Sequence, residues 1–362
     1  MTQQPWGPPR QQQPWGQAPS GWQQPQWPQP GGWPAAPQRH TRPVPAGGYF
    51  APPPPRRGNP LRTLFLVLSG LAAAAVLALV VVGLSTSAGD SAYENEDYQV
   101  PPESSSPPPL PEYPTTVEEA LDALENNPLY TSTMPVPIRC ELPEGNTWEM
   151  SDDELDAFLT EQMACLTRAW QPPLTEAGWT EVRPPVTVYR DQVTSACGNL
   201  EGEEAVNAFY CPADQAVYFS TLMFDYIPDL SQPRVTELVM AHEYGHNVQA
   251  RANILVPGSL LQANTDDEEV ALEISRRTEV QADCLAGLFL HSTAQSLELT
   301  EAELASVDQA LFNIGDDVLS GDPDVVGNHG RGASRQLWGG RGYESSDVGV
   351  CNTFVAPASE VE

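Results

Sequence analysis

The sequence predicts an α+β fold, helix-rich with a small sheet, preceded by one transmembrane helix and a disordered N-terminal arm. Three observations carry this expectation. The first 62 of the 362 residues are dense in Pro, Gln, Trp and Gly and hold six arginines but no acidic residue. One uncharged apolar run, Leu64 to Leu84, follows. Beyond it, four Ser/Thr-x-x-Glu helix starts accompany only two short segments of β-branched and aromatic residues.

Residues 1–62 have too little apolar side chain to offset the entropy of ordering a chain, so they are expected to stay disordered. Pro-Trp-Gly units at Pro5 and Pro14, with further tryptophans at Trp22, Trp27 and Trp33, leave two readings: a solvated spacer or an arm that recruits a cytosolic partner. Residues 63–85 are expected to span a membrane, because the 21 residues from Leu64 to Leu84 reach about 30 Å as a helix. Arg56, Arg57 and Arg62 precede the run and acidic residues begin only at Asp90, which keeps the N-terminus in the cytoplasm and exports the rest. A signal peptide cleaved near Ser87-Ala88-Gly89 is the alternative; the long arm and the length of the run favour an uncleaved anchor. Residues 86–115, rich in Ser, Pro and acids, read as a semi-rigid stalk.

A folded domain is expected over 116–356, with 357–362 as a tail. Its helices are announced by Thr116 with Glu119, Ser151 with Glu154, Thr265 with Glu268 and Thr300 with Glu303. Val186 to Tyr189 and Gln215 to Ser220 supply the strands. Eleven arginines face 48 acidic residues after the span, a net charge of −37, and the chain has no lysine. Such a surface repels nucleic acid and anionic lipid, so no nucleic-acid partner is expected. All six cysteines, Cys140, Cys165, Cys197, Cys211, Cys284 and Cys351, lie beyond the span, as an oxidising compartment predicts. They allow fifteen connectivities, and no two stand at zinc-finger spacing.

The chemistry is concentrated in His242-Glu243-Tyr244-Gly245-His246. On a helix the two imidazoles stand one turn apart on one face and can grip one metal ion. This helix is expected to begin near Ser231, with Pro233 in its first turn, and to end at Val248. Glu243 is the candidate general base. A hydrolytic zinc needs a third protein ligand and an open position. Glu279, on a second helix expected over about Glu268 to His291, fits that role, and Asp283 one turn further can accept the outer N–H of a ligating imidazole. A third histidine six residues after His246 is excluded, because Ala252 stands there, so a carboxylate ligand is favoured. Ala282, Ala286 and Gly287 would let two helices approach closely.

The sequence resembles the neutral zinc metallopeptidases of bacterial envelopes, a gluzincin-like group. The resemblance rests on the His242 to His246 motif with Val248-Gln249, on Glu279 to Gly287, on Tyr210-Cys-Pro-Ala-Asp-Gln-Ala-Val-Tyr218 and on Ile314-Gly-Asp-Asp317. A last block runs from His329-Gly330 through Trp338 and Arg341-Gly342 to Cys351-Asn-Thr-Phe354. The one departure is Asn247, where relatives often carry histidine. The resemblance implies a zincin-like metallopeptidase domain with one Zn2+ per chain, held by His242, His246 and Glu279. It also implies the disulfides Cys140–Cys165, Cys197–Cys211 and Cys284–Cys351, and peptide or protein substrates in the bacterial envelope; together with the apolar run, this leads to the expectation of a single-pass protein of the bacterial cell membrane.

Hydrolysis of a peptide bond then needs a donor for the oxyanion. His329 is the first candidate and Arg341 the second, although His329 also reads as a surface histidine in a Gly-rich turn. The strand Ala216 to Ser220, just before the motif helix, is expected to be the edge that lines the cleft. His40 and His291 are assigned no site role. Two other classes remain: a catalytically silent zinc scaffold, and a zinc amidase acting on cell-wall material.

Overall fold

A computed structural model describes residues 93–104, 106–325 and 327–362. The expected arm, span and first part of the stalk lie outside them. Among the described residues no helix is long and apolar enough to cross a membrane. The predicted α+β class is observed there. The helices are α1 Val117–Glu125, α2 Asp152–Glu176, the short α3 Met223–Tyr226, α4 Val235–Arg251, α5 Leu255–Ala263, α6 Glu268–Thr293, α7 Glu301–Asn313, α8 Asp316–Ser320 and α9 Gly332–Tyr343. The strands are β1 Val186–Tyr189, β2 Gln192–Ser195, β3 Gly198–Glu201, β4 Ala208–Cys211 and β5 Ala216–Ser220.

Three of the four expected helix starts are used. Thr116 accepts the Glu119 N–H, and Ser151/Glu154 and Thr300/Glu303 form reciprocal capping boxes. Thr265 does not cap α6. Asp267 does, its carboxylate accepting the N–H groups of Glu269 and Val270, while Thr265 Oγ1 accepts the Asp267 N–H. A carboxylate is at least as good an N-cap as a threonine hydroxyl and also suits the positive end of the helix dipole. The motif helix likewise starts later than expected, at Val235. Pro228 to Ser231 form a separate 3-10 turn, and Gln232 is extended, as a residue before proline prefers. Arg234 then takes a left-handed conformation, φ 68°, fixed by bonds from its guanidinium to Glu237, Glu303 and the Leu297 carbonyl.

The sheet is as small as expected but differently arranged. Its order is β1–β5–β4, with β1 parallel and β4 antiparallel to β5. All five residues of β5 are buried. The segment from Cys197 to Cys211 contains β3 and β4. Its β3 pairs with β2 as a hairpin that alternating burial did not betray, because most of its residues are exposed. The structure has the three disulfides implied by the resemblance: Cys140–Cys165, Cys197–Cys211 and Cys284–Cys351.

The part of the stalk within the described residues is packed rather than free. Asn95 Nδ2 donates to the Arg168 carbonyl at 2.9 Å, Tyr98 bonds Glu181, and Leu110 packs against the core. Extended prolines leave their carbonyls without local partners. Here Gln215 Nε2 donates to Pro108 O at 2.9 Å, and the guanidinium of buried Arg251 to Pro109 O at 3.0 Å. The expected tail is docked too. Trp338 Nε1 donates to Glu360 O, Arg276 Nε to Val361 O and the Arg331 N–H to Glu362 O, and Val361 is fully buried.

Helices α4, α6 and α9 form the centre of the packing. A Cβ on Gly245 of α4 would stand 3.2 Å from the backbone of Ala282 on α6. The contact of α6 with α9 is closer. A Cβ on Gly342 would lie 2.0 Å from Cys284 O, whereas one on Gly340 of the same helix would meet nothing within 4 Å. Gly342→Ala is therefore expected to destabilise the protein by about 3 kcal/mol or more through backbone overpacking. Gly340→Ala should be neutral or stabilising by up to about 1 kcal/mol. Thermal unfolding of both variants checks the contrast, and equal midpoints would refute the close packing.

Candidate metal centre

Helix α4 carries His242, Glu243 and His246, and α6 carries Glu279 and Asp283. The crossing of the two helices brings the predicted ligands together. His242 Nε2 lies 3.3 Å and His246 Nε2 3.7 Å from Glu279 Oε2. One ligand atom from each residue lies within 4.8 Å of the other two, the one such group of three among the described residues. A tetrahedral zinc with bonds of about 2.0–2.1 Å separates its ligand atoms by roughly 3.3–3.4 Å, close to the two imidazole–carboxylate separations found here. The two rings stand nearly perpendicular, at 87°, with centroids 4.8 Å apart.

Both outer nitrogens face acceptors. His242 Nδ1 lies 2.8 Å from Asp283 Oδ1, as the helical spacing predicted, and His246 Nδ1 lies 2.8 Å from Gln249 Oε1. The Gln249 amide is oriented by donation from Nε2 to Thr278 O at 2.7 Å, which turns its oxygen towards the ring. A proton on each Nδ1 leaves each Nε2 lone pair for a metal, the tautomer that such ligands adopt.

Two further residues complete these networks and were not anticipated. Arg335 of α9 donates from Nε to Asp283 Oδ2 at 2.8 Å and from Nη2 to Oδ1 at 2.9 Å. Gln281 accepts from Gln249 at 3.1 Å and donates to Cys351 O at 2.9 Å. Gln249, one turn from His246, had a local signal in its i, i+3 spacing. Arg335, 52 residues from Asp283, had none.

Glu243 is buried, and its Oε2 accepts the Tyr210 N–H at 2.9 Å. Tyr210 belongs to β4, so β4 and not Ala216–Ser220 is the sheet edge beside the motif helix. The expected edge, β5, is paired on both sides and has no free backbone groups to offer. Burial raises the Glu243 carboxyl above the usual range, against the pull of His242 and His246. Burial would raise Glu279 as well, but His246 and His242 hold it well below the usual range. Asp283 is opposed by burial yet kept low by Arg335 and His242.

His329 stands in the turn before α9. Asp316 of α8 holds this turn. Its Oδ2 accepts the N–H groups of His329 and Gly330 at 2.8 and 2.9 Å, and its Oδ1 lies 3.4 Å from the ring Nδ1. Arg341, the second candidate, is engaged elsewhere, paired with Glu360 at 2.7 Å and lying over the Trp338 ring. Tyr244 packs in the core, its hydroxyl reaching Thr167 and the Val182 carbonyl. His291 faces Tyr343, and His40 lies outside the described residues.

A helix-rich domain with a His-Glu-x-x-His helix and a carboxylate from a second helix is the class that fold and site define. The chain belongs to the family described as "Putative neutral zinc metallopeptidase", whose model matches residues 129–354. It is 33% identical over 213 residues to the uncharacterized protein YpfJ of Escherichia coli strain K12, covering 56% of this chain and 73% of that protein. It is 34% identical over 206 residues to the uncharacterized protein Rv2575 of Mycobacterium tuberculosis, covering 52% of this chain and 66% of that one. No solved structure matches the chain.

In the metal-free cluster, burial lowers His242, but Asp283 and Glu279 outweigh it and push the imidazole up to about 10. A raised pKa means that the ring is charged below that value, so at neutral pH a proton must leave before a metal binds. Glu279 raises His246 as well, so zinc titrated into the protein near pH 7.5 should release at least one proton, with affinity rising as pH rises. Calorimetry in buffers of different ionisation enthalpy reads this, and binding without proton release would show His242 to be neutral.

Proposed function

We propose that this protein is a membrane-anchored, extracytoplasmic zinc metallopeptidase that hydrolyses peptide bonds of envelope peptides or proteins. The observation that carries the reading is the convergence of His242 Nε2, His246 Nε2 and Glu279 Oε2 beside a buried Glu243. His242, His246 and Glu279 would hold a zinc ion, and the ion would supply Lewis acidity that lowers the pKa of water and polarises a carbonyl. Glu243 takes the proton from the attacking water and hands it to the departing amine. The Tyr210 N–H fixes one oxygen of that carboxylate. His329, steadied by Asp316, donates to the oxyanion.

Three disulfides, all after the apolar run, support an oxidising compartment. The arginine-flanked run Leu64 to Leu84 supports a single-span anchor, and the N-terminal arm would then face a cytosolic partner.

The test is mass spectrometry of products from a peptide library and from cell-wall fragments, using the full-length chain. Glu243→Gln should retain about one zinc per chain and lose peptide cleavage by at least about 100-fold. Glu279→Ala should lose the metal. Undiminished cleavage by Glu243→Gln ends the mechanism, cleavage of cell-wall amides alone indicates an amidase, and zinc binding without cleavage of either indicates a scaffold.

A further inference from the structure

Both imidazole networks run outward to the same stretch of chain. The His246 network passes through Gln249 and Gln281 to the Cys351 carbonyl, and the His242 network passes through Asp283 to Arg335. Arg335 is the stronger of the two ends. It is almost wholly buried, and its guanidinium meets the Asp283 carboxylate with two parallel hydrogen bonds. Glu279 and Asp316 also act on its charge. It is thus a buried cation set among three carboxylates, one of them a metal ligand, and it belongs to neither helix that carries the ligands.

We propose that Arg335 is a positioning residue of the metal centre, fixing the Asp283 carboxylate so that its Oδ1 holds His242 in the metal-binding orientation. Three physical points lead there. A carboxylate that oriented only a single imidazole could rotate about its χ2 torsion, which is broad for aspartate. The planar guanidinium fork removes that freedom by binding both oxygens, a geometry that lysine cannot copy. Asp283 is also 1% exposed, and burying it without a hydrogen-bonded cation would leave its oxygens poorly satisfied, so the fork is the partner that this buried position calls for. Arg335 therefore holds and aims Asp283, and Asp283 aims the ring. The close fit of Gly342 on Cys284 and the Cys284–Cys351 bridge hold α9 against α6, which sets the guanidinium at its distance from Asp283. The metal centre of this chain is then completed by the segment from 332 to 351 and not by the two motif helices alone.

The inference rests on the reading that His242, His246 and Glu279 hold zinc, and its test reads binding rather than turnover. Zinc affinity of the full-length chain is measured by competition with a chromophoric chelator for wild type, Arg335→Met, Arg335→Lys, Asp283→Asn and Asp283→Asn/Arg335→Met. The cobalt-substituted forms are compared by their visible absorption, which reports the ligand field and which a loss of global stability alone leaves unchanged. Arg335→Met should weaken zinc binding by about 10- to 100-fold and alter the cobalt spectrum, with Arg335→Lys recovering only part of the loss. In the Asp283→Asn background the same Arg335→Met change should cost nothing further, because Arg335 acts through that carboxylate. Should Arg335→Met leave Asp283 too poorly paired to fold, Arg335→Lys against wild type and the comparison within the Asp283→Asn background carry the test. Wild-type affinity in both Arg335 variants, or an equal loss with and without the Asp283 carboxylate, overturns the proposal. A wild-type protein that binds no zinc overturns instead the underlying assignment.

Discussion

The crossing of α4 and α6 at Gly245 and Ala282 is the constraint on which the rest depends. With no side chain on Gly245, the α4 backbone can approach α6 to within van der Waals range of the Ala282 main chain. That separation lets His242 and His246 from one helix and Glu279 from the other reach a common point with side chains of ordinary length. A larger residue at either place would push the helices apart, and the Nε2 and Oε2 atoms, now 3.3 and 3.7 Å apart, would leave the range of a single ion.

Bringing those groups together collects buried charge, which is costly unless it is paired. Glu243, Glu279 and Asp283 are all carboxylates in or beside one cleft, and each is opposed by burial. The structure answers each with a different partner. Glu279 has the two imidazoles, Asp283 has Arg335 and His242, and Glu243 has the Tyr210 N–H. The protein thus gives up stability at the centre to hold a site ready for a cation. Disulfides and close glycine contacts around α6 and α9 supply rigidity where the charged groups cannot. Cys284, adjacent to Asp283, is bonded to Cys351, whose carbonyl receives the His246 network through Gln281.

The ends of the described chain serve the same purpose from outside. Residues 93–104 and 106–112 pack on the domain, and buried glutamine and arginine side chains satisfy the carbonyls of Pro108 and Pro109. The last residues close over Trp338, Arg276 and Arg331. Both segments look like linkers by composition. Each is held by long-range hydrogen bonds to side chains far away in sequence.

The converging side chains were partly legible in the sequence: helical periodicity puts His242 and His246 one turn apart and Asp283 one turn from Glu279, while Glu279 itself was picked out only because its pair follows the first motif. Capping residues gave most helix starts for the same local reason, and failed at Thr265 only because a nearby aspartate competed for the role. Strand order was not local, so β4 rather than β5 proved to be the edge beside Glu243. Arg335 and the Gln281–Cys351 contact could not be read at all, since their partners lie 52 and 70 residues away and no spacing rule reaches across a folded core. The sequence by itself determined which side chains could bind a metal and activate water, because a helix fixes neighbours three and four residues apart. Only the tertiary structure decided what orients them, because that depends on how closely α4, α6 and α9 pack.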